Sequence, residues 1–116
     1  KFNEMLCITS SSIAALKVAQ VFAPDIARGY VAEYTHLDPI KVAVRNGCSL
    51  LVLNWELCTL ERVRRAKKAG LHVSAWTVNE PELMLELAQR GVDSLITDFP
   101  GLANATFGIA STSSQK

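Results

Sequence analysis

The sequence predicts an α/β fold on a parallel sheet, and three observations lead there. The segments AVRNGCSLLVLN (43–54), AKKAGLHVSAWT (66–77) and LAQRGVDSLITD (87–98) share one plan: a helix end, a glycine, then a short apolar strand. Their glycines, Gly47, Gly70 and Gly91, recur 23 and 21 residues apart, a regular strand-and-helix period. The strand candidates LLVL and LITDF are near-continuous apolar runs. Strands joined through helices must run parallel, and parallel strands are covered on both faces, which such runs satisfy.

Each element has its own reason. MLCITSS (5–11) is the first strand, apolar and ending in serines. Ile13, Leu16, Ala19 and the pair Val21 and Phe22 follow at helical spacing, predicting a helix over 12–22 that Pro24 ends. RGYVAE supplies strand 28–33, and a helix over 38–46 closes at Gly47 before strand 49–54. The helix over 60–69 stops at Gly70, where a glycine in the left-handed region turns the chain into strand 71–78. Asn79 reads as the cap of the next helix, 81–90; Pro81 loses no needed donor in its first turn, and Glu80 and Glu82 complement its dipole. The two glutamates therefore read as helix initiation, not acid/base chemistry. Leu83, Met84, Leu87 and Ala88 give that helix its sheet-facing stripe. Strand 94–98 ends at Asp98, and a short helix or turn follows.

Two architectures fit five strands alternating with helices: an open doubly wound sheet, or a segment of a (β/α)₈ barrel. The regular period and the lack of a glycine-rich phosphate loop after any strand favour the barrel. A full barrel runs to about 250 residues, so 116 residues make roughly half of one.

Composition removes several classes of function. The formal net charge of +1 gives no footprint for nucleic acid. Arg62, Arg64, Arg65, Lys67 and Lys68 read as the solvated face of one helix. The apolar runs are too short to span a bilayer, so no transmembrane segment is expected. Cys7, Cys48 and Cys58 are odd in number, lack metal-ligand spacing and each lie in or beside an apolar run. Three buried free thiols are expected, which favours a reducing, cytoplasmic address.

Both architectures place chemistry at the C-terminal ends of the strands. Those ends carry Ser10 and Ser11, Glu33 and Tyr34, Asn54 and Trp55, Trp76 to Asn79, and Asp98 to Pro100. Along 71–78, alternation puts Leu71, Val73, Ala75 and Thr77 on one face and His72, Ser74, Trp76 and Val78 on the other. The first set suits packing against helices, so Trp76 would face the barrel interior near its mouth. There a large amphipathic ring serves either as a pocket wall or as the last layer of the barrel core. His72 is expected to be a satisfied interior histidine, and His36 an exposed loop residue.

The stretch GLHVSAWTVNEPELMLELAQRGVDSLITDFPGLA (70–103) closely resembles the C-terminal end of glycerophosphodiester phosphodiesterase domains. There a strand ending in Trp-Thr-Val-Asn is followed by a helix, a Gly-Val-Asp turn and a strand ending in Thr-Asp-Phe-Pro. A weaker resemblance runs through ITSSSIAALKVAQVFAPDIARG, similar to the family's mid-barrel strand ending in Ser-Phe. Ser10 falls on that serine, while Ser11 and Ser12 stand where Phe-Asp is usual. The resemblance covers about residues 5 to 103 and implies that residues 1–103 are the fourth to eighth strands of a barrel phosphodiesterase domain. Residues 104–116 are then a Ser-rich tail.

Members of that family hydrolyse glycerophosphodiesters to an alcohol and glycerol 3-phosphate. They use a divalent cation, Mg²⁺ or Ca²⁺, held by carboxylates of the early strands, and two histidines as general acid and base. The motifs concerned are His-Arg-Gly, Glu-x-Asp and a later Glu, and this sequence contains neither His-Arg-Gly nor Glu-x-Asp. A hard cation on oxygen ligands would neutralise the phosphate and activate water. No residue here is assigned to catalysis or to metal. What the resemblance implies for this chain is the substrate side: Trp76, with Ser10, Asn54 and Asp98, contacting the glycerophosphodiester. Either the missing N-terminal half of the barrel or a second copy is expected as partner. The alternative reading is a non-catalytic, barrel-derived module that binds a ligand or partner.

Overall fold

The computed structural model describes residues 7–32 and 38–108. Its elements are β1 (Cys7–Ser10), α1 (Ile13–Phe22), β2 (Ala27–Ala32), α2 (Pro39–Arg45), β3 (Leu50–Asn54), α3 (Leu60–Lys68), β4 (His72–Trp76), α4 (Pro81–Gln89), β5 (Ser94–Leu95) and α5 (Pro100–Thr106). A single 3₁₀ turn, Trp55–Leu57, sits between β3 and α3. Glu33, Tyr34 and His36 lie outside the described residues, as does most of the tail.

The five strands form one sheet in the order β1-β2-β3-β4-β5, every neighbour pair parallel. Strand order separates the two architectures that the sequence left open. A doubly wound sheet reverses its order at a switch point, whereas barrel strands succeed one another in chain order. This sheet never reverses, so it is built as a barrel is built.

The repeat seen in the sequence proves to be one C-capping device used three times. Gly47, Gly70 and Gly91 have φ of 67°, 85° and 99°. At each, the glycine N–H returns to the carbonyl three residues back, and the next residue's N–H to the carbonyl five back: Cys48 to Ala43 at 2.9 Å, Leu71 to Ala66 at 3.0 Å, Val92 to Leu87 at 3.2 Å. These are the paired bonds of a Schellman motif, with its apolar pair inside the core. The N-termini of α1, α2 and α3 are closed by Ser12, Asp38 and Thr59, which accept from Ala15, Ile40 and Arg62 N–H groups at 3.2, 3.0 and 3.2 Å.

Register divides the sheet into two faces. Tyr30, Ala32, Leu51, Leu53, Val73 and Ala75 share one side and pack with Leu16, Ile40, Ala43, Val63, Ala66, Met84 and Leu87 of the helices into the core cluster. Each fully buried Leu or Val contributes on the order of 1.5–3 kcal/mol. Thr9, Val31, Leu50, Val52, Ser74 and Trp76 take the other side. Among the described residues, nothing covers that second face as the helices cover the first.

Four expectations are corrected by this packing. Strand 71–78 ends at Trp76, and the alternation ends with it: Val78 is fully buried in the helix-side core, while Thr77 lines the opposite face. Strand 94–98 keeps only Ser94–Leu95 in the ladder. Beyond it, Ile96 N–H bonds to Ala75 C=O at 2.8 Å, and Val78 N–H to Ile96 C=O at 2.9 Å. Cys7, on the edge strand, is exposed, and only Cys48 and Cys58 are buried thiols. His72 is exposed rather than interior, with Nε2 3.0 Å from Ser94 Oγ.

Candidate functional site

The C-terminal ends of β3 and β4 bring Asn54 and Trp76 side by side, paired in register on the face away from the helices. Trp76 is half-buried and lines an open cavity of about 430 Å³ with Thr9, Val31, Leu50, Val52, Ser74, Thr77 and Ile96. Its indole Nε1 is buried with no hydrogen-bond partner among the described residues. A buried donor left unpaired costs about 1–3 kcal/mol, so this ring carries an unused N–H at the cavity wall. The peptide bond from Trp76 to Thr77 is cis.

Asn54 turns the chain. Its Oδ1 accepts from Glu56 N–H at 3.0 Å, which starts the 3₁₀ turn and leaves Trp55 at the surface. A second cavity, of about 380 Å³, lies at the same end of the sheet between that turn and α4, bordered by Trp55, Thr77, Asn79, Glu80 and Glu82. Thr77 is common to both cavities.

Asp98 and Ser10 are placed differently from Trp76 and Asn54. Asp98 Oδ2 accepts from Asn79 Nδ2 at 3.0 Å, and Asp98 N–H donates to Asn79 Oδ1 at 3.0 Å. Thr97 Oγ1 donates to the same Oδ1 at 3.0 Å and accepts from Phe99 N–H at 3.1 Å. Asn79 is thus not the cap of α4: that position belongs to Glu80, whose side chain makes no capping bond. Ser10 pairs with Tyr30, on the helix side of the sheet, and its Oγ accepts from Ser12 N–H at 3.0 Å. Its neighbour Thr9 is the one that reaches the cavity.

Away from the strand ends, a groove of about 890 Å³ lies between α3 and the end of α4, bordered by Arg64, Arg65, Lys67 and Lys68. These cations are exposed, as the sequence implied. Arg65 bonds Asp38 at 2.6 Å, and its guanidinium holds that carboxyl below the usual carboxylate range. Lys67 bonds Asp93 at 2.5 Å. Burial pushes the Asp93 carboxyl up, but bonds from Lys67 and from Val73 N–H outweigh it and leave it low. Burial likewise pushes the Cys58 thiol up to about 11. Among the described residues, no three His, Cys, Asp or Glu side chains gather into a group that could hold a metal ion. The residues described here therefore do not form the cation site that the sequence resemblance implies. Nor is any described helix long and apolar enough to cross a membrane.

Parallel strands in chain order, helices on one face and an open cavity across the other define a protein of the (β/α)-barrel class. Residues 4–102 match the model of the glycerophosphoryl diester phosphodiesterase family, and the chain belongs to that family. A curated glycerophosphodiester phosphodiesterase of Caldanaerobacter subterraneus subsp. tengcongensis is 29% identical over 99 residues, 85% of this chain and 41% of the relative. A phosphodiesterase from Oleispira antarctica, solved in complex with the product sn-glycerol-3-phosphate, superposes with a TM-score of 0.82 at 27% identity, over 89% of this chain and 42% of that one. A protein from Silicibacter pomeroyi assigned as a glycerophosphoryl diester phosphodiesterase gives 0.78 at 29% identity, over 88% and 38%. The chain thus spans about two fifths of the length of these relatives.

Proposed function

We propose that this chain is the substrate-side part, the fourth to eighth strands, of a barrel that hydrolyses glycerophosphodiesters to an alcohol and glycerol 3-phosphate. The observation that carries the reading is the family match over residues 4–102, which includes both strand-end motifs. The product complex of the Oleispira antarctica relative supports the substrate class. Trp76 forms the wall against which the glycerol or head group is oriented, through the part of its ring that lines the cavity. Asn54 stands beside it on the same face, while Ser10 contributes from the end of β1 and Asp98 from the turn three residues beyond β5. Holding a substrate in reactive geometry lowers the barrier without any proton transfer by the wall itself.

The divalent cation, Mg²⁺ or Ca²⁺, and the acid/base pair belong in this reading to the N-terminal strands of the domain. The cation would supply phosphate neutralisation and activation of water there. That N-terminal half, or a second copy of the chain, is the partner for the uncovered face. The buried thiols Cys48 and Cys58 support a reducing, cytoplasmic address.

The test is glycerophosphocholine hydrolysis with Mg²⁺ or Ca²⁺, comparing the complete enzyme with the 116-residue chain. Turnover by the complete enzyme and none by this chain is the expected pair of results. Turnover by neither would favour a non-catalytic, barrel-derived module, and turnover by the short chain would sink the proposed division of chemistry.

A further inference from the structure

We infer that Asn79 is a positioning residue for the substrate wall: its side-chain amide fixes the exit of β5 against the arc that carries Trp76. The consequence for substrate rests on the phosphodiesterase reading; the clasp itself does not. That arc is short and is held at three successive points. Ala75 C=O accepts from Ile96 N–H, Val78 N–H donates to Ile96 C=O, and Asn79 then binds Thr97 and Asp98. Trp76 and Thr77 are the two residues between the first and second points. Because β5 contributes only Ser94–Leu95 to the ladder, two backbone bonds through Ile96 extend the pairing, and from Thr97 onward the Asn79 side chain takes over.

The chemistry selects an amide. Asn79 Oδ1 accepts from Thr97 Oγ1 and Asp98 N–H, each at 3.0 Å, and its Nδ2 donates to Asp98 Oδ2 at 3.0 Å. The partners fix the amide's orientation, since a backbone N–H only donates and an ionised carboxylate only accepts. An aspartate there offers the same acceptor atoms but sets a second carboxylate against that of Asp98, and the repulsion opens the clasp and frees the Asp98 N–H. An alanine loses all three bonds. This pattern separates the clasp from helix capping, because aspartate and asparagine cap equally well.

The experiment uses the complete enzyme containing this chain, with Asn79→Asp and Asn79→Ala, and reads two quantities. The first is amide hydrogen exchange at Asp98, whose N–H is held by Asn79, and at Met84, whose N–H is held by Glu80 C=O in the first turn of α4. Both variants should speed exchange at Asp98 at least tenfold and leave Met84 within about twofold. The second is steady-state kinetics on glycerophosphocholine. Loss of wall contacts made equally in ground and transition states should raise KM roughly tenfold, with kcat within about threefold.

Asparagine-like behaviour of Asn79→Asp, or faster exchange at Met84 with Asp98 unchanged, would identify a cap and overturn the inference. Faster exchange at Asp98 with KM unmoved would leave only a loop tie and overturn the positioning role. A wild-type enzyme without turnover removes the phosphodiesterase reading and its substrate-side consequence together, while the exchange pattern still decides clasp against cap.

Discussion

At Trp76 one side chain packs against the sheet and, in the function proposed above, also binds. Its ring is half-buried against the sheet, but its N–H has no partner among the described residues, an arrangement that a core layer would satisfy or exclude. Trp76→Ala in the complete enzyme should lower kcat/KM about tenfold, mainly through KM, as expected for a contact that binds and orients. Steady-state kinetics beside a thermal melt checks this; a variant that unfolds instead would show that Trp76 is core. The facing of Trp76 was legible in the sequence, because alternation holds along His72–Trp76. The facing of Val78 and Thr77 was not, since the strand ends before them. Asn79 was misread for a related reason: a polar residue before a helix looks like a cap locally, whereas its partners Thr97 and Asp98 lie 18 and 19 residues onward.

The elements follow the sequence closely where a helix hands over to a strand. The glycines at 47, 70 and 91 announced that hand-over, and all three adopt the left-handed backbone on which it depends. Beyond its immediate chain neighbours, no heavy atom of the described residues lies within 4 Å of where a Cβ would stand at Gly70, so a side chain there meets backbone strain and no clash. Gly70→Ala should therefore destabilise the fold by about 1–2 kcal/mol, the cost of a left-handed non-glycine residue, measured as a shift in denaturant midpoint at constant slope. Leu53, wholly buried between β3 and the helices, should cost about 2–5 kcal/mol on truncation to alanine, by cavity formation. The 3₁₀ turn at Trp55–Leu57 had no sequence cue beyond Asn54, whose side chain starts it. The shortness of β5 was hidden too: LITDF reads as one apolar run, yet its second half is held by loop bonds.

Across the whole molecule, exposed apolar side chains gather at the two ends of the sheet. Val18, Val21 and Phe22 of α1 are 55%, 73% and 82% exposed, and Ile96, Phe99, Leu102 and Phe107 crowd the β5 and α5 end. Patches of this kind mark interaction surfaces, and edge strands recruit partners. Sedimentation of the isolated chain should show self-association, with a well-folded monomer as the contrary result. Acid should weaken the fold through Asp38 and Asp93. Both carboxyls are held below their ordinary value, so their stabilisation is complete above the unfolded pKa, near about 4, and is lost as pH falls through the folded values. Replacing Asp93 by Asn should flatten that acid limb in urea melts run between pH 5 and 2.

A sheet whose strands lie side by side in the order of synthesis has a consequence for how such a molecule comes into being. Each strand meets as its neighbour the one that preceded it by a single helix, so every new unit adds to an existing edge without waiting for the chain's far end. Growth is then vectorial, with nearest-neighbour energetics like those of a solenoid. If the chain is an arc of a barrel, as proposed above, it keeps its outer layer and its hand-over turns intact when formed in this way, and holds its two terminal strands ready. Separately made arcs could thus complete one another after synthesis, as staves close a cask.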